Sequence, residues 1–598
     1  MSKFNTKATD KTVTTNHEGE KAWALSPEMA LYTRVCTTFL VDQFYTPNFN
    51  DELNRIRELI KKVDPMFVAQ LAVYARTEMH MRTIPLVLAV ELAKIHKGDS
   101  LLSRMVFKII QRADELTELM SYYISANKDQ KDGRDFAIIK GERKALPVGQ
   151  KKNIFKVSKQ ISKGLALAFN KFDEYQFKKY EADDKEVKLK DVLFYTRPIP
   201  ASPEQKELFD KIANGMLDQA NTWETNSSKT GQKVAQKAKE LGLDDAAKEK
   251  LKKEEARKMW EKTIDVRGKG EIGYMALLRN LMNFIKYDIS TEHFQKVAAR
   301  LANEKEVAES KQLPFRFVTA YRMLSGVQPG DSIYYTGTRG YKTYAGAGFR
   351  TQGGGIYVVN DFKINHGKPV IPNPKVGILM EALEEAVKHS CKNIPAFGWD
   401  TKVLIAADTS RSMQKPVSER KDDKGRVIGQ SLLQCYDVGL ALSMMLQYKC
   451  KVVSSGMFGD NFAVLPMPKD QILRNVDELH ACEGMVGYST NGYLVIDYAI
   501  AAAKRGIVYD KVFMFSDNQL YNSAGDLKHI NTQWLEFRKI NPNAKLYIFD
   551  LAGYGTSPVN LKQDGVHMIA GWSDKVFDVL EALEKGVSAI DKIKSIEV

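Results

Sequence analysis

The sequence predicts an α+β chain of more than one domain. A helical first two-thirds of stacked-repeat, α-solenoid character precedes an α/β last third built on a mainly parallel sheet. Three observations carry this. Up to about residue 400, apolar residues recur at helical spacing in short blocks joined by brief turns. From Thr401, short apolar runs alternate with helical patterns, as strands and crossover helices do. The net charge of +14 also lies wholly in the first part, with 65 Lys+Arg against 51 Asp+Glu before Thr401 and 23 against 23 after it.

Residues 1–21 are Thr/Lys/Asn-rich with little apolar periodicity, and are expected to be disordered. Asp64-Pro65 then supplies an N-cap and a proline at the first helical position, ahead of Phe67, Val68, Leu71, Ala72 and Ala75 at helical spacing. A break at Thr83-Ile84-Pro85 leads to a second helix over 86–96, with further helices over 101–110 and 116–124. Residues 140–200 are strongly basic. Lys151, Lys152, Lys156, Lys159 and Lys163 cluster around Phe155, and Lys156, Lys159 and Lys163 fall at i, i+3, i+7, where one helix face presents them together. A second basic piece adds Lys188, Lys190 and Arg197. Two such segments in the half that holds the excess charge point to RNA phosphates, whose counterions lysines and arginines release.

Residues 229–260 carry both charges and few apolar positions, and read as exposed helices interrupted near Gly242. Helical blocks follow over 273–287, 293–303 and 313–324. Residues 325–373 are rich in Gly, Tyr and basic residues without helical pattern. There Tyr341 and Tyr344 beside Arg339 and Arg350 suggest a loop that stacks on single-stranded RNA, the competing reading being a β-hairpin extension. A last helix over 376–389 leads to the second domain.

Strands are predicted over 402–407, 451–458, 511–516, 545–550 and 566–569, and helices near 429–446, 491–505, 532–539 and 575–585. In parallel sheets of this kind ligands sit at the carboxyl ends of the strands. The first strand ends in Asp408-Thr-Ser410-Arg-Ser412. Two other loops on the same edge carry Thr490, before a helix, and Asp517, after a strand. Asp408, Ser410, Ser412, Thr490 and Asp517 would thus meet as a hydroxyl-rich oxygen set suited to Mg²⁺ or another hard divalent cation. Each one alone is a common helix cap or Asx turn; their convergence makes the metal site.

No apolar run reaches the roughly 20 residues of a membrane span, and the N-terminus lacks a secretory core. Five cysteines without C-x-x-C spacing argue against a zinc site or disulfide framework and for a cytoplasmic protein. No H-E-x-x-H, nucleophile elbow or P-loop is present, so no enzymatic activity is expected.

Together, YMALLRNLMNF (274–284), LPFRFVTAYRML (313–324), ILMEALEEAV (378–387), LIAADTSRSM (404–413), YSTN (488–491) and FSDN (515–518) resemble the Ro ribonucleoprotein family, in a bacterial or phage-type form. In that family a TROVE module of HEAT-like helical repeats precedes a von Willebrand factor A domain with a metal-ion-dependent adhesion site. The resemblance implies a TROVE-like domain over 22–390, with insertions at about 225–260 and 325–373, and an A-like, Rossmann-like domain over 395–598. It implies a helical ring closed by the A domain. It also implies an RNA-quality-control scaffold that binds small non-coding, Y-like RNA and single-stranded ends of structured, misfolded RNA. DNA and membrane partners are not expected. Mg²⁺ would await an acidic side chain of a protein partner such as an exoribonuclease. The rival reading is a metal-dependent protein-interaction module with no RNA role.

Overall fold

The computed structural model describes residues 12–38, 49–127, 136–139, 142–145, 157–180, 187–218, 222–268, 271–325, 341–351, 354–364, 375–421, 426–525 and 528–598. These form two compact units. One takes in the described part of Met1–Ile56 with Thr222–Lys592, the other that of Arg57–Asn221 with Ile593–Val598.

The smaller unit is helical. Asp64 accepts the Met66 N–H at 2.7 Å and Pro65 opens the helix Pro65–Thr77, as the sequence predicts. The expected break at residues 83–85 is instead a helix start, since Thr83–Ile95 is continuous. Pro85 sits in its first turn, where a missing N–H costs no hydrogen bond. Helices Leu101–Ile109, Ala113–Ala126, Lys159–Phe169, Leu189–Thr196 and Pro203–Asn214 follow. Arg76 pairs with Glu115 at 2.7 Å between the first and fourth of these layers, with both side chains buried. At Gly164 the helix Lys159–Phe169 lies against Val106 so closely that a Cβ there would sit 2.6 Å from the valine Cβ.

In the larger unit, helices Trp223–Glu240 and Asp245–Asp265 are separated near Gly242, whose φ of 57° ends the first one. Trp260 anchors the second against Trp223 and Phe284. The sheet has eight strands in the order Val566–Ala570, Lys545–Asp550, Lys511–Ser516, Phe397–Asp408, Cys450–Phe458, Phe462–Leu465, Gly354–Ile364 and Tyr341–Thr351. Its first five strands are parallel. All five predicted strands are present. The central residues Val403 to Ala407 are buried, because helices cover both faces of the sheet.

Four expectations are corrected here. Residues 12–21 are folded, because Val13–Thr15 pairs with Lys21–Ala24, and the latter pairs in turn with Thr556–Ser557. The stretch 341–364 is a hairpin that extends the sheet through Phe462–Leu465, so the α/β layer begins before residue 395. Of the two readings of this stretch the β-hairpin extension holds and the loop does not: Tyr341, Tyr344 and Arg350 lie on its edge strand, while Arg339 lies outside the described residues. Alternating Tyr with small residues is a period-two pattern, and pairing with the next strand satisfies backbone groups that a loop would leave to water. Finally, the helix expected from residue 429 begins at Cys435, since Val427–Gln430 pairs with Glu419–Lys421.

The helical and α/β parts of this unit are locked by buried charge. Arg322, on Pro314–Leu324, makes a two-pronged contact with Asp437 (2.9 and 2.7 Å), and His480 reaches the same carboxylate at 2.6 Å. Burial alone would raise the Asp437 carboxyl, but Arg322 and His480 hold it well below the ordinary carboxylate range. Glu384, on Val376–Ser390, accepts the backbone N–H groups of Ile472, Leu473 and Arg474 and so caps the helix Ile472–Ala481.

Candidate metal centre and basic surface

Asp408 ends the central strand, whose neighbours end at Phe458 on one side and Ser516 on the other. The sheet therefore delivers the following loops to one edge. The Asp408 Oδ1 accepts the Ser410 N–H at 2.8 Å, an Asx turn that folds the chain back over the strand end. Its Oδ2 accepts the Ser516 hydroxyl at 2.6 Å. Ser410 and Ser412 hydroxyl oxygens stand 3.3 Å apart, and the Ser412 hydroxyl lies near enough to hold the Asp517 carboxyl down. Asp517 Oδ1 also accepts the Gln519 N–H at 3.0 Å, whereas its Oδ2 is buried with no hydrogen-bond partner.

Thr490 comes in on a third loop. The Arg411 N–H donates to Tyr488 O at 3.1 Å and the Tyr521 N–H to Thr490 O at 3.2 Å, tying that loop to both others. The 459 and 487 turns approach so closely that a Cβ on Gly459 would overlap the Gly487 carbonyl. Only glycine permits this, and the contact seats the Asn491 N–H on Gly459 O at 3.0 Å, one residue beyond Thr490.

All five oxygen-bearing residues are buried; Asp408 and Asp517 are each 1% exposed. Burial raises the Asp408 carboxyl well above the ordinary range, and the Asp517 charge pushes the same way, against hydrogen bonds from Ser516 and Ser410. Burial likewise raises Asp517, against the Ser412 hydroxyl and the Gln519 N–H. Two ionised carboxylates this deep repel one another unless a cation or proton lies between them. An orphaned carboxylate oxygen beside paired hydroxyls fits a small hard cation. Among the described residues no group of three or more His, Cys, Asp or Glu is gathered as a metal set.

The basic surface lies in the smaller unit. Lys151, Lys152 and Lys156 lie outside the described residues. Lys159 and Lys163 are exposed on one helix, and Lys188, Lys190 and Arg197 on and beside Leu189–Thr196. Arg197 adopts φ 48° as it closes that helix. Asn170 fastens the two segments together, donating to Ile199 O at 3.0 Å and accepting the Ala201 N–H at 2.8 Å. Sequence reading alone passes over the aromatics between these cations. Phe194 (59% exposed) and Tyr195 point away from the inward stripe of Leu189, Val192 and Leu193, and Ile199 is 85% exposed. Their signal is a departure from helical periodicity: two aromatics stand where the apolar stripe has none.

The TROVE domain signature matches residues 41–259 and 247–398, more than half of the chain. The chain belongs to the TROVE-domain family, that of the Ro proteins. Over most of its length it is similar in fold to the crystal structure of the Deinococcus radiodurans RO (RSR) protein. The TM-score is 0.51 at 16% identity, covering 94% of this chain and 100% of that one. Telomerase protein component 1 of Rattus norvegicus is 41% identical over 70 residues, and that of Mus musculus 44% over 63. Those stretches are 12% and 10% of this chain and only 2% of each relative. The helical-repeat and A-type α/β architecture expected from the sequence is the architecture of this family. No described helix is long and apolar enough to cross a membrane.

Proposed function

We propose that this chain is the RNA-binding scaffold of a Ro-type ribonucleoprotein, taking small non-coding, Y-like RNA and single-stranded ends of misfolded RNA. The observation that carries the reading is the joined pair of basic segments within the TROVE region. Lys159, Lys163, Lys188, Lys190 and Arg197 are exposed together there, with Phe194 and Tyr195 among them. The cations neutralise phosphates, and the aromatic faces stack on unpaired bases. The oxygen cluster of Asp408, Ser410, Ser412, Thr490 and Asp517 would hold Mg²⁺, which supplies a Lewis-acidic position that an acidic side chain of a protein partner, such as an exoribonuclease, can complete. The protein's own residues orient that position and keep bulk water from it. All five cysteines are free, which fits a reducing cytoplasm.

Fluorescence polarisation with a structured small RNA across a salt series tests this. Binding weakens linearly in log–log form, and K188A/K190A/R197A flattens the slope by about 2–3 as three phosphate contacts go. Binding that is absent, or insensitive to salt, leaves the metal-dependent protein-interaction module as the better account.

A further inference from the structure

Residues Ile593–Val598 belong to the smaller unit and lie along its helices Pro65–Thr77 and Leu101–Ile109. Ile593 is buried and anchors the segment, whereas Lys594, Ser595 and Glu597 are exposed. A row of side chains holds the rest by its main-chain oxygens. Gln70 Nε2 donates to Lys594 O at 2.6 Å and to Ile596 O at 3.2 Å. Lys108 Nζ donates to Glu597 O at 2.9 Å, and Arg104 Nη1 reaches Val598 O at 3.4 Å. Bonds of this kind select a string of oxygen acceptors and no particular side chain.

The two cations belong to a larger patch. Arg104, Phe107 and Lys108 fall at i, i+3 and i+4 on one helix and share a face, with Phe107 38% exposed. Lys171 sets its ammonium 3.9 Å from the centre of the Phe107 ring and donates to Ile110 O at 2.9 Å. Among the described residues no Asp or Glu side chain pairs with Arg104, Lys108 or Lys171. Lys171 follows Asn170, which ties the two basic segments together, so the patch is continuous with the basic surface. An exposed phenyl ring amid three such cations suits single-stranded RNA, with stacking for a base and charge for the backbone. At Lys108 the segment offers a neutral carbonyl where a phosphate would offer a charged oxygen, and the charge-assisted bond is the stronger one.

We propose that residues 594–598 form a strap that stands in for nucleic acid. It occupies Arg104 and Lys108 through main-chain oxygens, and single-stranded RNA displaces it to take both cations and Phe107. The inference rests on the RNA-binding reading above and adds to it a segment of the chain that competes with the ligand. A tethered strap has a high effective concentration. It therefore excludes short strands and yields to those long enough to reach the neighbouring basic segments as well.

Fluorescence anisotropy with a labelled uridylate dodecamer tests this on the full-length chain and on one lacking residues 594–598. Without the strap the Kd falls about fivefold and the salt slope steepens by about 1.4, two more phosphates at about 0.7 each. Q70A loosens the strap and keeps both cations; it gives a smaller shift the same way and guards against a deletion that misfolds. Adding R104A/K108A to the deletion restores the wild-type slope. Adding F107A instead weakens binding about tenfold with the slope unchanged. A fluorophore at S595C on the full-length chain tumbles faster once the dodecamer binds. Unchanged Kd and slope in both the deletion and Q70A, with salt-dependent binding intact, overturn the strap alone. Binding that is absent or salt-insensitive in every variant overturns the RNA reading itself. Release of the label by a polyglutamate decamer and not by the dodecamer overturns RNA as the occupant and assigns the patch to an acidic protein.

Discussion

Arg322→Ala lowers unfolding stability by about 3–5 kcal/mol in urea titrations, because it leaves the Asp437 carboxylate buried without its principal counter-charge. The arginine is 2% exposed and Asp437 is fully buried, so water cannot take the place of the guanidinium. Asp477 also lies 3.4 Å from Arg322 Nε and loses the same partner. R322M/D437L, which removes both charges and restores apolar volume, recovers part of the loss, as buried ion pairs replaced whole often do. The direction with pH follows from the depressed Asp437 carboxyl. Its folded pKa lies below the unfolded value, so its contribution is full above the unfolded pKa of about 4 and disappears as pH falls through the folded one. In R322A that acid-side loss shrinks. A variant as stable as wild type would mean that the helical part and the α/β part of this unit are held by apolar contact alone.

D408N has the opposite sign without metal. Burial raises both Asp408 and Asp517, so each holds its proton more tightly in the folded chain than in the unfolded one. Their contribution is present below the unfolded pKa and is lost as pH rises through the folded one. Above about pH 7, where both have lost their protons, the metal-free protein therefore carries two repelling, desolvated carboxylates, and removing one charge raises its Tm there. Saturating Mg²⁺ at about 100 times its Kd stabilises the wild type by about 2.7 kcal/mol, roughly 2–3 °C in Tm for a unit of this size, and does nothing for D408N. Differential scanning fluorimetry of both proteins with and without Mg²⁺ gives all four values. A D408N protein less stable than wild type without metal would place Asp408 in a purely structural role.

Much of this was legible in the residues. A run of five apolar residues ending in D-x-S-x-S, amid alternating strands and helices, reads as a buried strand whose polar tip leaves the sheet, and the structure joins Asp408, Ser410 and Ser412 by hydrogen bonds. The Asp64-Pro65 cap was equally readable, because local chemistry decides it. What escaped was long-range pairing. Val13–Thr15 looks like polar disorder until Lys21–Ala24 pairs with it, that strand being held on its other side by Thr556–Ser557, more than 500 residues away. The hairpin over 341–364 was one of the two readings the Gly/Tyr stretch offered; what escaped is its place at the sheet edge, which Phe462–Leu465, itself too short to announce a strand, sets. Arg322 gave no signal at all: an arginine at helical spacing reads as solvated, and only the packing of Cys435–Lys449 beneath it makes it an anchor.

The cation site is the claim on which the adhesion role stands. Calorimetric titration of Mg²⁺ into the metal-free full-length protein addresses it most directly. The account predicts one ion per chain and affinity that falls between about pH 7.5 and 5.5, because protons compete for Asp408 and Asp517. It also predicts proton release on binding, seen as heats that differ between buffers. No binding heat, or an affinity unchanged in D408N and flat across that pH range, would contradict it.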